Sequence, residues 1–379
     1  MIEITRHIKI PDTSFFLFGP RGTGKSTFVK KLINSNSIYF DFLDPDTFRT
    51  FSAFPESLAK TVNALNPELV IIDEVQKIPQ ILDVVHKIME ERKIRFILTG
   101  SSARKLKRSG ADLLGGRAIY CKMHPFTAGE LEDSFSFDNA LQTGLIPVVE
   151  RSPDPSRTLS AYIDIYLREE IQAEGLVRNL GSFTRFLETV SFSHGTVLNV
   201  SNLSAECQMS RSIVIGYIDI LEDLLLAYRL PVFTKRAKRK TASHPKFYLF
   251  DNGLYRKLRF RGPLDIESEI SGPALEGLTG QHLRAYSDFA LPDTRLYYWR
   301  SRAGNEVDFI LYGGNTFTAI EIKNTKVPRP ADYNGLTSFG DDYPEAKLLL
   351  LYRGNLPMKH KNILVLPVEL FLKKPGDYV

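Results

Sequence analysis

The sequence predicts an α/β protein in three parts: a parallel sheet with helices, a helical and winged-helix middle part, and a second α/β part at the C-terminus. Three observations support this class. A glycine-rich loop, Gly19 to Thr27, separates an apolar run from a segment with helical character. Uninterrupted apolar runs follow it, as in strands that are buried on both faces of a parallel sheet. Farther along, Glu306 to Lys323 alternates apolar and polar residues around a Gly-Gly-Asn turn, as a β-hairpin does.

Length and composition are those of a globular protein with more than one domain. Of 379 residues, 43% are hydrophobic and 25% are charged, and the net charge of +5 permits an anionic partner without requiring one. The sequence has no apolar run of the ~18 residues that span a membrane, and no signal-peptide pattern at its start. We therefore expect a cytoplasmic protein without a membrane contact. Cys121 and Cys207 lack metal-binding or disulfide-type spacing and are expected to be reduced thiols.

The loop has the spacing G-x-x-x-x-G-K-S, which suits the phosphates of a nucleotide. Its backbone N–H groups and the following helix N-terminus form a cradle for a polyanion. Lys25 adds charge at the β- and γ-phosphates, and the Ser26 hydroxyl can ligate Mg²⁺. We therefore predict a nucleotide and Mg²⁺ as cofactors, and the family resemblance described below implies that the nucleotide is ATP. The predicted nucleotide contacts in the loop are Gly19, Pro20, Arg21, Gly22, Thr23, Gly24, Lys25, Ser26 and Thr27.

A buried strand, Leu69 to Ile72, runs directly into Asp73 and Glu74. Open α/β sheets bind their ligands at the carboxyl ends of the strands. We expect Asp73 to hold Mg²⁺ through water, and Glu74 to orient and deprotonate the attacking water. The alternative is a strand that ends in solvated acids.

A further buried strand, Ile94 to Leu98, ends in polar residues. Thr99 and Ser101 are candidates to contact the γ-phosphate or the attacking water. A helix N-cap at Ser101 or Ser102 explains the same residues equally well.

The order of these motifs, GPRGTGKST, VIIDE and ILTGSS, resembles that of AAA-type P-loop ATPases, in the prokaryotic branch related to the archaeal ATPase family. The likeness continues through Leu114 to Arg117, His124 to Phe126 and Glu130-Leu131. The resemblance implies ATP hydrolysis by a homo-oligomer. It also implies that Arg117 acts as an arginine finger on a neighbouring subunit's γ-phosphate; an arginine bonded within its own turn is the alternative.

The proline-rich stretch Pro147 to Pro155 predicts a domain boundary. We divide the chain into residues 1–150, 151–245 and 246–379. The middle part is expected to contain a helix over Ala161 to Glu174 and then a helix-turn-helix. Its first helix, with Ser201 as N-cap, ends near Cys207, and its second covers Ser210 to about Leu226.

The second of these helices is short of cations, which favours a packing role over reading of a base sequence. A basic run follows it in an expected hairpin wing, and continues in His244 and Lys246. It can contact DNA or RNA phosphates without sequence preference, or be a solvated loop. The run consists of Lys235, Arg236, Lys238, Arg239 and Lys240.

Strict alternation along the C-terminal hairpin places Asp308, Glu321 and Lys323 on one face, with Val307 and Phe309 on the opposite one. Two carboxylates can hold Mg²⁺ or Mn²⁺, and a lysine beside the metal can activate water. Glu276, on a helix predicted over residues 275–286, completes the set as a further metal ligand.

This arrangement resembles the PD-(D/E)XK nuclease superfamily, with Asp308 as the aspartate and Glu321 to Lys323 as E-x-K. The resemblance implies a restriction-endonuclease-like fold, which the ATPases named above commonly carry as a domain of unknown function. Asp251 to Leu254 also matches the D-x-G-L segment of those proteins. A solvated hairpin with an apolar core is the alternative.

Two main functions follow. The first is ATP hydrolysis coupled to binding, remodelling or metal-dependent cleavage of nucleic acid, with DNA favoured over RNA. The second is a nucleotide-controlled switch whose C-terminal domain binds a partner and cleaves nothing. A role as a defence or toxin–antitoxin regulator is a third hypothesis.

Overall fold

The computed structural model describes residues 4–101, 106, 114–167, 179–234 and 244–379, with the backbone alone at 165–167. The chain divides into two compact units. The N-terminal unit contains Ile8–Pro125 and Asp223–Leu225, and the second unit contains the other residues. The predicted boundaries at 150 and 245 stay predictions.

The N-terminal unit is a five-stranded parallel sheet with helices, in the strand order β2-β3-β4-β1-β5. Its elements are β1 (Phe15–Phe18), α1 (Lys25–Lys30), β2 (Ser37–Asp41), α2 (Pro45–Ala53), α3 (Ser57–Leu65), β3 (Leu69–Asp73), α4 (Ile81–Glu91), β4 (Arg95–Gly100) and β5 (Ile119–Lys122). The sequence predicts an amphipathic helix over Ile78 to Glu91; helix α4 begins later, at Ile81, after a short 3₁₀ turn over Val75–Lys77. The predicted α/β class with a parallel sheet is confirmed.

The apolar runs of this sheet are explained by two cores, one on each face. Ile72 and Leu98 lie in one core cluster, whereas their neighbours Ile71 and Ile97 lie in the other. Side chains alternate between the faces of a strand, so a strand that is covered on both sides has no position for a polar residue until it ends. The first polar residues therefore appear at the carboxyl edge of the sheet.

The second unit combines helices with two sheets. Its elements are α5 (Ala128–Leu131), α6 (Phe137–Thr143), α7 (Pro147–Glu150), α8 (Pro155–Ala161), α9 (Leu180–Ser191), β6 (Thr196–Val197), α10 (Val200–Cys207), α11 (Arg211–Asp223), β7 (Ala227–Leu230), β8 (Lys246–Leu249), α12 (Asn252–Leu258), α13 (Glu267–Ala290), β9 (Arg295–Arg300), β10 (Glu306–Gly313), β11 (Thr316–Lys323), α14 (Asn334–Asp342), β12 (Lys347–Tyr352), β13 (Met358–His360), β14 (Ile363–Pro367) and α15 (Val368–Lys373).

The middle part has the predicted helix-turn-helix, α10 and α11, followed by the antiparallel pair β7 and β8. The predicted N-cap at Ser201 is wrong: Asn199 is the cap, because its side chain accepts hydrogen bonds from the backbone of Ser201 and Asn202, both at 3.1 Å. The basic run at 235–240, residues 168–174 of the predicted helix, and Ser102 lie outside the described residues.

Asp251 to Leu254 has a packing role. The Asp251 carboxylate accepts hydrogen bonds from Leu145 N at 2.8 Å and from Gly253 N at 2.9 Å, which joins α12 to the end of α6. A Cβ at Gly253 would lie 2.1 Å from the Thr143 carbonyl oxygen, so only glycine allows this close approach. Burial raises the pKa of Asp251 to about 6.

The C-terminal sheet is mixed and six-stranded, in the order β13-β14-β12-β11-β10-β9. The pairing of β10 with β9 shifts between Val307 and Ile310, which is a β-bulge. Strict alternation therefore fails there: Val307 and Ile310 share one core cluster, whereas Phe309 contacts Tyr248. The bulge lies directly at Asp308, one of the predicted site residues.

Candidate functional site

The glycine-rich loop lies at the carboxyl edge of the parallel sheet. Because β4 lies between β1 and β3, the ends of these three strands are neighbours. Gly19 N donates to the Gly100 carbonyl at 3.3 Å, which ties the loop to the end of β4. The predicted loop, Asp73 and Thr99 are thus brought to one edge.

Glycine is required at several loop positions. Gly22 has a φ of 78° and Gly24 a φ of 90°, which glycine adopts without strain. A Cβ at Gly19 would lie 2.5 Å from the Met123 carbonyl oxygen. The buried Thr23 closes the turn by donating its hydroxyl to the Pro20 carbonyl at 2.6 Å. These contacts hold the loop in a curled form.

Lys25 is the first residue of α1, and only 4% of it is exposed. Its ammonium donates to the carbonyl oxygens of Gly19 at 2.6 Å and Pro20 at 3.2 Å. Ser26, the next residue, is half-buried, whereas Arg21 and Thr27 are exposed. The ammonium is therefore held against the loop that would carry the phosphates.

Asp73 is fully buried at the end of β3. One carboxylate oxygen accepts the Tyr39 hydroxyl at 2.7 Å, and the other accepts the Thr99 hydroxyl. Burial and this carboxylate raise the pKa of Tyr39. The sequence analysis proposed that Thr99 contacts the γ-phosphate, and it did not identify Tyr39. Both residues contact Asp73 from other strands, and such contacts between strands leave no local pattern in the sequence.

Glu74 has a left-handed backbone, with a φ of 59°. Its N–H donates to the Thr99 hydroxyl at 3.2 Å, and its carboxylate accepts the side-chain amide of Gln76. The same amide donates to the Ser101 hydroxyl at 3.1 Å. Gln76 thus joins two predicted site residues, and the sequence carried no signal for it.

Arg117 follows an unusual turn in which Leu114, Gly115 and Gly116 all have positive φ. Its guanidinium lies 3.0 Å from the Glu90 carboxylate of α4, and both side chains are exposed. The pair joins two elements of the N-terminal unit.

In the second unit, three carboxylates surround one lysine. The Lys246 ammonium, on β8, lies 2.9 Å from Glu276, 2.6 Å from Glu306 and 3.1 Å from Asp308. Lys246 is 2% exposed, so it is not available to contact phosphates as the sequence analysis expected of the basic run that it continues. Tyr248, two residues along β8, donates its hydroxyl to Glu276 at 2.5 Å.

The other predicted residues of this site lie on the neighbouring strand. The Lys323 ammonium contacts Glu321 at 2.5 Å, and Asp308 accepts the backbone N–H of Ile322 at 3.0 Å. Glu321 is 6% exposed, and its Oε2 has no hydrogen-bond partner among the described residues. The structure therefore brings Asp308 beside the Glu321–Lys323 pair, and joins Glu276 to Asp308 through Lys246.

Burial controls the ionisation of this cluster. Burial, and next the Asp308 carboxylate, raise the pKa of Glu276 to about 7 and that of Glu321 well above its usual range. Burial opposes the charge on Lys246, but the surrounding carboxylates, Glu276 first, outweigh it and raise the pKa of Lys246 well above its ordinary value. Lys246 is therefore a permanent cation inside the cluster.

The two sites differ in how they fit a divalent metal. A hydroxyl at Ser26 and a carboxylate at Asp73 are hard oxygen donors at the sheet edge, which fit Mg²⁺. At the C-terminal cluster, the carboxylates converge on an ammonium. Within the part of the chain that the structure describes, no three His, Cys, Asp or Glu residues are grouped so as to hold a metal ion. With Lys246 in place, the cluster does not fit a divalent cation.

Three family models match successive parts of the chain. An AAA domain matches residues 12–132. A domain of unknown function, DUF8612, matches residues 135–268, and another, DUF4143, matches residues 271–371. Lys246 thus lies in the second match, and its three carboxylate partners lie in the third.

Several curated proteins are similar over most of this chain. Uncharacterised proteins of Mycobacterium bovis and Mycobacterium tuberculosis are each 27% identical over 351 residues, which covers 89% of this chain and 76% of theirs. An uncharacterised protein of Haemophilus influenzae is 21% identical over 281 residues, or 66% of this chain and 70% of its own.

Two solved structures are distant matches, each at 14% identity. The Aeropyrum pernix ORC1 protein in complex with DNA has a TM-score of 0.26 and covers 66% of this chain and 86% of its own. Protein VC1899 from Vibrio cholerae has a TM-score of 0.21 and covers 90% and 96%. Scores this low carry no argument about function.

None of the described helices has the length and hydropathy that a membrane crossing needs.

The match to the AAA model coincides with the parallel sheet and its phosphate loop. Residues 12–132 are therefore similar to AAA domains, which supports an ATPase-type function for the protein.

Proposed function

We propose that this protein binds and hydrolyses ATP with Mg²⁺ at the edge of its parallel sheet, and couples the turnover to nucleic acid. One observation carries the proposal: a buried lysine in a curled glycine-rich loop lies at the same sheet edge as a fixed aspartate and a following glutamate. Together these groups supply phosphate binding, a metal ligand and a base.

Binding uses groups that are already positioned. The loop N–H groups are expected to receive the phosphate oxygens, and Lys25 to transfer its hydrogen bonds from two loop carbonyls to the β- and γ-phosphates. Ser26 and Asp73 would hold Mg²⁺, which when bound neutralises charge on the phosphates. Tyr39 and Thr99 keep the Asp73 carboxylate in one orientation, as partners of a metal ligand do.

Hydrolysis needs a base near the γ-phosphate. Glu74 is proposed to orient water and accept its proton. The Gln76 amide fixes the Glu74 carboxylate and connects it to Ser101, so that these residues move together. Thr99 accepts the backbone N–H of Glu74 at 3.2 Å and donates to Asp73, which links the base to the metal ligand.

Arg117 is the residue through which we expect assembly of several copies of the chain to affect hydrolysis. An exposed ion pair such as Arg117–Glu90 contributes roughly 0–1 kcal/mol, so its guanidinium can exchange Glu90 for a phosphate at low cost. We propose that it does so in a neighbouring copy of the chain.

A second candidate function is a switch in which the C-terminal domain binds a partner and cleaves nothing. The ammonium of Lys246 among the predicted metal ligands favours it over cleavage. Cleavage by Asp308, Glu321 and Lys323 is the competing prediction.

The test is a steady-state ATPase assay of the full chain with and without DNA or RNA, with the nucleic acid run on a gel afterwards. We expect hydrolysis that DNA stimulates more than RNA, and intact nucleic acid. Absence of ATP hydrolysis would overturn the proposal. Hydrolysis that neither nucleic acid changes would remove the coupling, and DNA shortened only by the wild type, and not by Asp308→Ala, would restore cleavage.

A further inference from the structure

The environment of Lys246 is that of a coordinated cation. An ammonium has three N–H donors, and three carboxylate groups lie within 3.1 Å of this one. These groups come from two separate elements, α13 and β10, so their convergence is a property of the tertiary fold. Carboxylates repel each other when they are buried together, and a cation at their centre is what allows the arrangement.

The position of the ammonium is where a divalent ion would bind. Mg²⁺ sites are built from carboxylate oxygens that converge on one point at 2.0–2.1 Å. Here the convergence point contains Nζ of Lys246, at hydrogen-bond distances of 2.6–3.1 Å. A metal and this ammonium cannot occupy the same point.

An independent observation indicates that the cluster has a further oxygen for a cation. Glu321 is 94% buried, since 6% of it is exposed, and its Oε2 has no hydrogen-bond partner among the described residues. Burial, and next the charge of Asp308, raise the pKa of Glu321. A buried carboxylate oxygen without a donor is costly, so a divalent ion that replaced the ammonium beside Asp308 would gain Glu321 as a further ligand.

We propose that Lys246 is the resident cation of the C-terminal carboxylate cluster, and that the cluster becomes a site for Mn²⁺ or Mg²⁺ only when this lysine is removed. Three carboxylates surround one ammonium, so its loss leaves an excess of negative charge that attracts a divalent ion. The ATPase proposal does not bear on this inference, because the two sites share no residue.

The experiment compares Mn²⁺ binding by the wild type, Lys246→Met and the matched control Lys359→Met, which changes an exposed lysine on β13. Binding is followed by electron paramagnetic resonance of free Mn²⁺ in the absence of nucleotide, on full-length protein whose fold is checked by circular dichroism. We expect Lys246→Met to gain one Mn²⁺ site, at least about tenfold tighter than any in the other two proteins. Adding Asp308→Asn to Lys246→Met should abolish that site.

A wild-type site that Asp308→Asn removes would overturn the proposal, as would a folded Lys246→Met that binds no Mn²⁺. If Lys246→Met does not fold, Asp308→Asn alone decides. Loss of one partner of a resident ammonium should lower the melting temperature, equally in chelator and in Mn²⁺. A higher melting temperature in chelator would show that the carboxylates repel each other with no cation among them, which contradicts the proposal.

Discussion

Lys25 and Lys246 are both buried, at 4% and 2% exposure, and each begins a regular element. The hydrogen bonds and ion pairs described for them go to groups of different charge. Lys25 donates to two neutral carbonyl oxygens of its own loop, whereas Lys246 is surrounded by three carboxylates. A carbonyl oxygen accepts a hydrogen bond from the ammonium without cancelling its positive charge. Lys25 can therefore exchange these hydrogen bonds for hydrogen bonds to a phosphate. The carboxylates around Lys246 neutralise it, so that lysine completes the structure and is not available to an anion.

The largest expected effect that tests this difference is on nucleotide binding. Lys25→Ala should lower ATP affinity at least about a hundredfold while the protein stays folded, since Arg21, the other cation of the loop, is exposed, whereas Lys25 is buried and held against the loop carbonyls. Lys60→Ala, at an exposed position of α3, is the control. Calorimetric titration with ATP measures both, and an affinity in Lys25→Ala equal to that of the control would refute the assignment.

A substitution at the same site should separate ATP hydrolysis from ATP binding. Glu74→Gln should bind ATP normally and hydrolyse it on the order of a hundredfold or more slowly, because the base is lost. Glu68→Gln, exposed just before β3, should behave as the wild type. Single-turnover assays distinguish the two, and near-normal turnover in Glu74→Gln would place the base elsewhere.

A smaller effect is expected from the partners of Asp73. Thr99→Val removes one hydrogen bond to this carboxylate and the acceptor for the Glu74 N–H. We expect the Mg²⁺ concentration for half-maximal ATPase activity to rise by about tenfold, as for other residues that orient a metal ligand. Thr99→Ser, which keeps the hydroxyl, should restore the wild-type value; equal defects in both variants would indicate a packing effect.

A last effect, on folding and not on nucleotide binding or turnover, concerns the acid stability of the second unit. Its buried His282 accepts the Ala128 N–H at 2.9 Å, and burial lowers the pKa of His282 to about 4. A base with a depressed pKa contributes stability that is present above pH 6.5 and is lost as pH falls toward 4, about 3 kcal/mol in all.

Denaturant unfolding between pH 7 and pH 4 measures this loss. His282→Gln should be less stable at pH 7 and show a shallower decline with acid, because its amide does not titrate. A decline as steep as in the wild type would assign the acid sensitivity to other groups. Among these, buried Asp251 acts in the opposite direction, since its pKa is raised to about 6 and its protonated form favours the folded state.

The two buried lysines also mark what a sequence can predict. The strands around Lys25 were predicted because apolar runs, glycines and the carboxyl-edge acids are local signals. Tyr39 and Gln76 were missed because their roles depend on hydrogen bonds between strands that are distant along the chain. Lys246 was assigned to a basic run because its cationic neighbours are local and its carboxylate partners are 30 to 62 positions away.

The hairpin around Asp308 shows a second limit. Alternation correctly placed Glu321 next to Lys323 and apolar residues in the core, but it assumes an uninterrupted strand. The bulge between Val307 and Ile310 changes which side chains share a face, and no residue in that segment indicates it. The predicted carboxylates are nevertheless close together, because α13 and β8 approach the strand on the side of Asp308.

Because the backbone of Glu74 is left-handed, the residue that favours stability at position 74 differs from the residue that favours the proposed activity. Residues other than glycine adopt this conformation at a cost of about 1 kcal/mol, and glycine does not. A library screened for heat tolerance alone should therefore enrich glycine at position 74 and lose the base, whereas a screen for turnover should retain glutamate. Every variant that keeps glutamate at position 74 also keeps this strain.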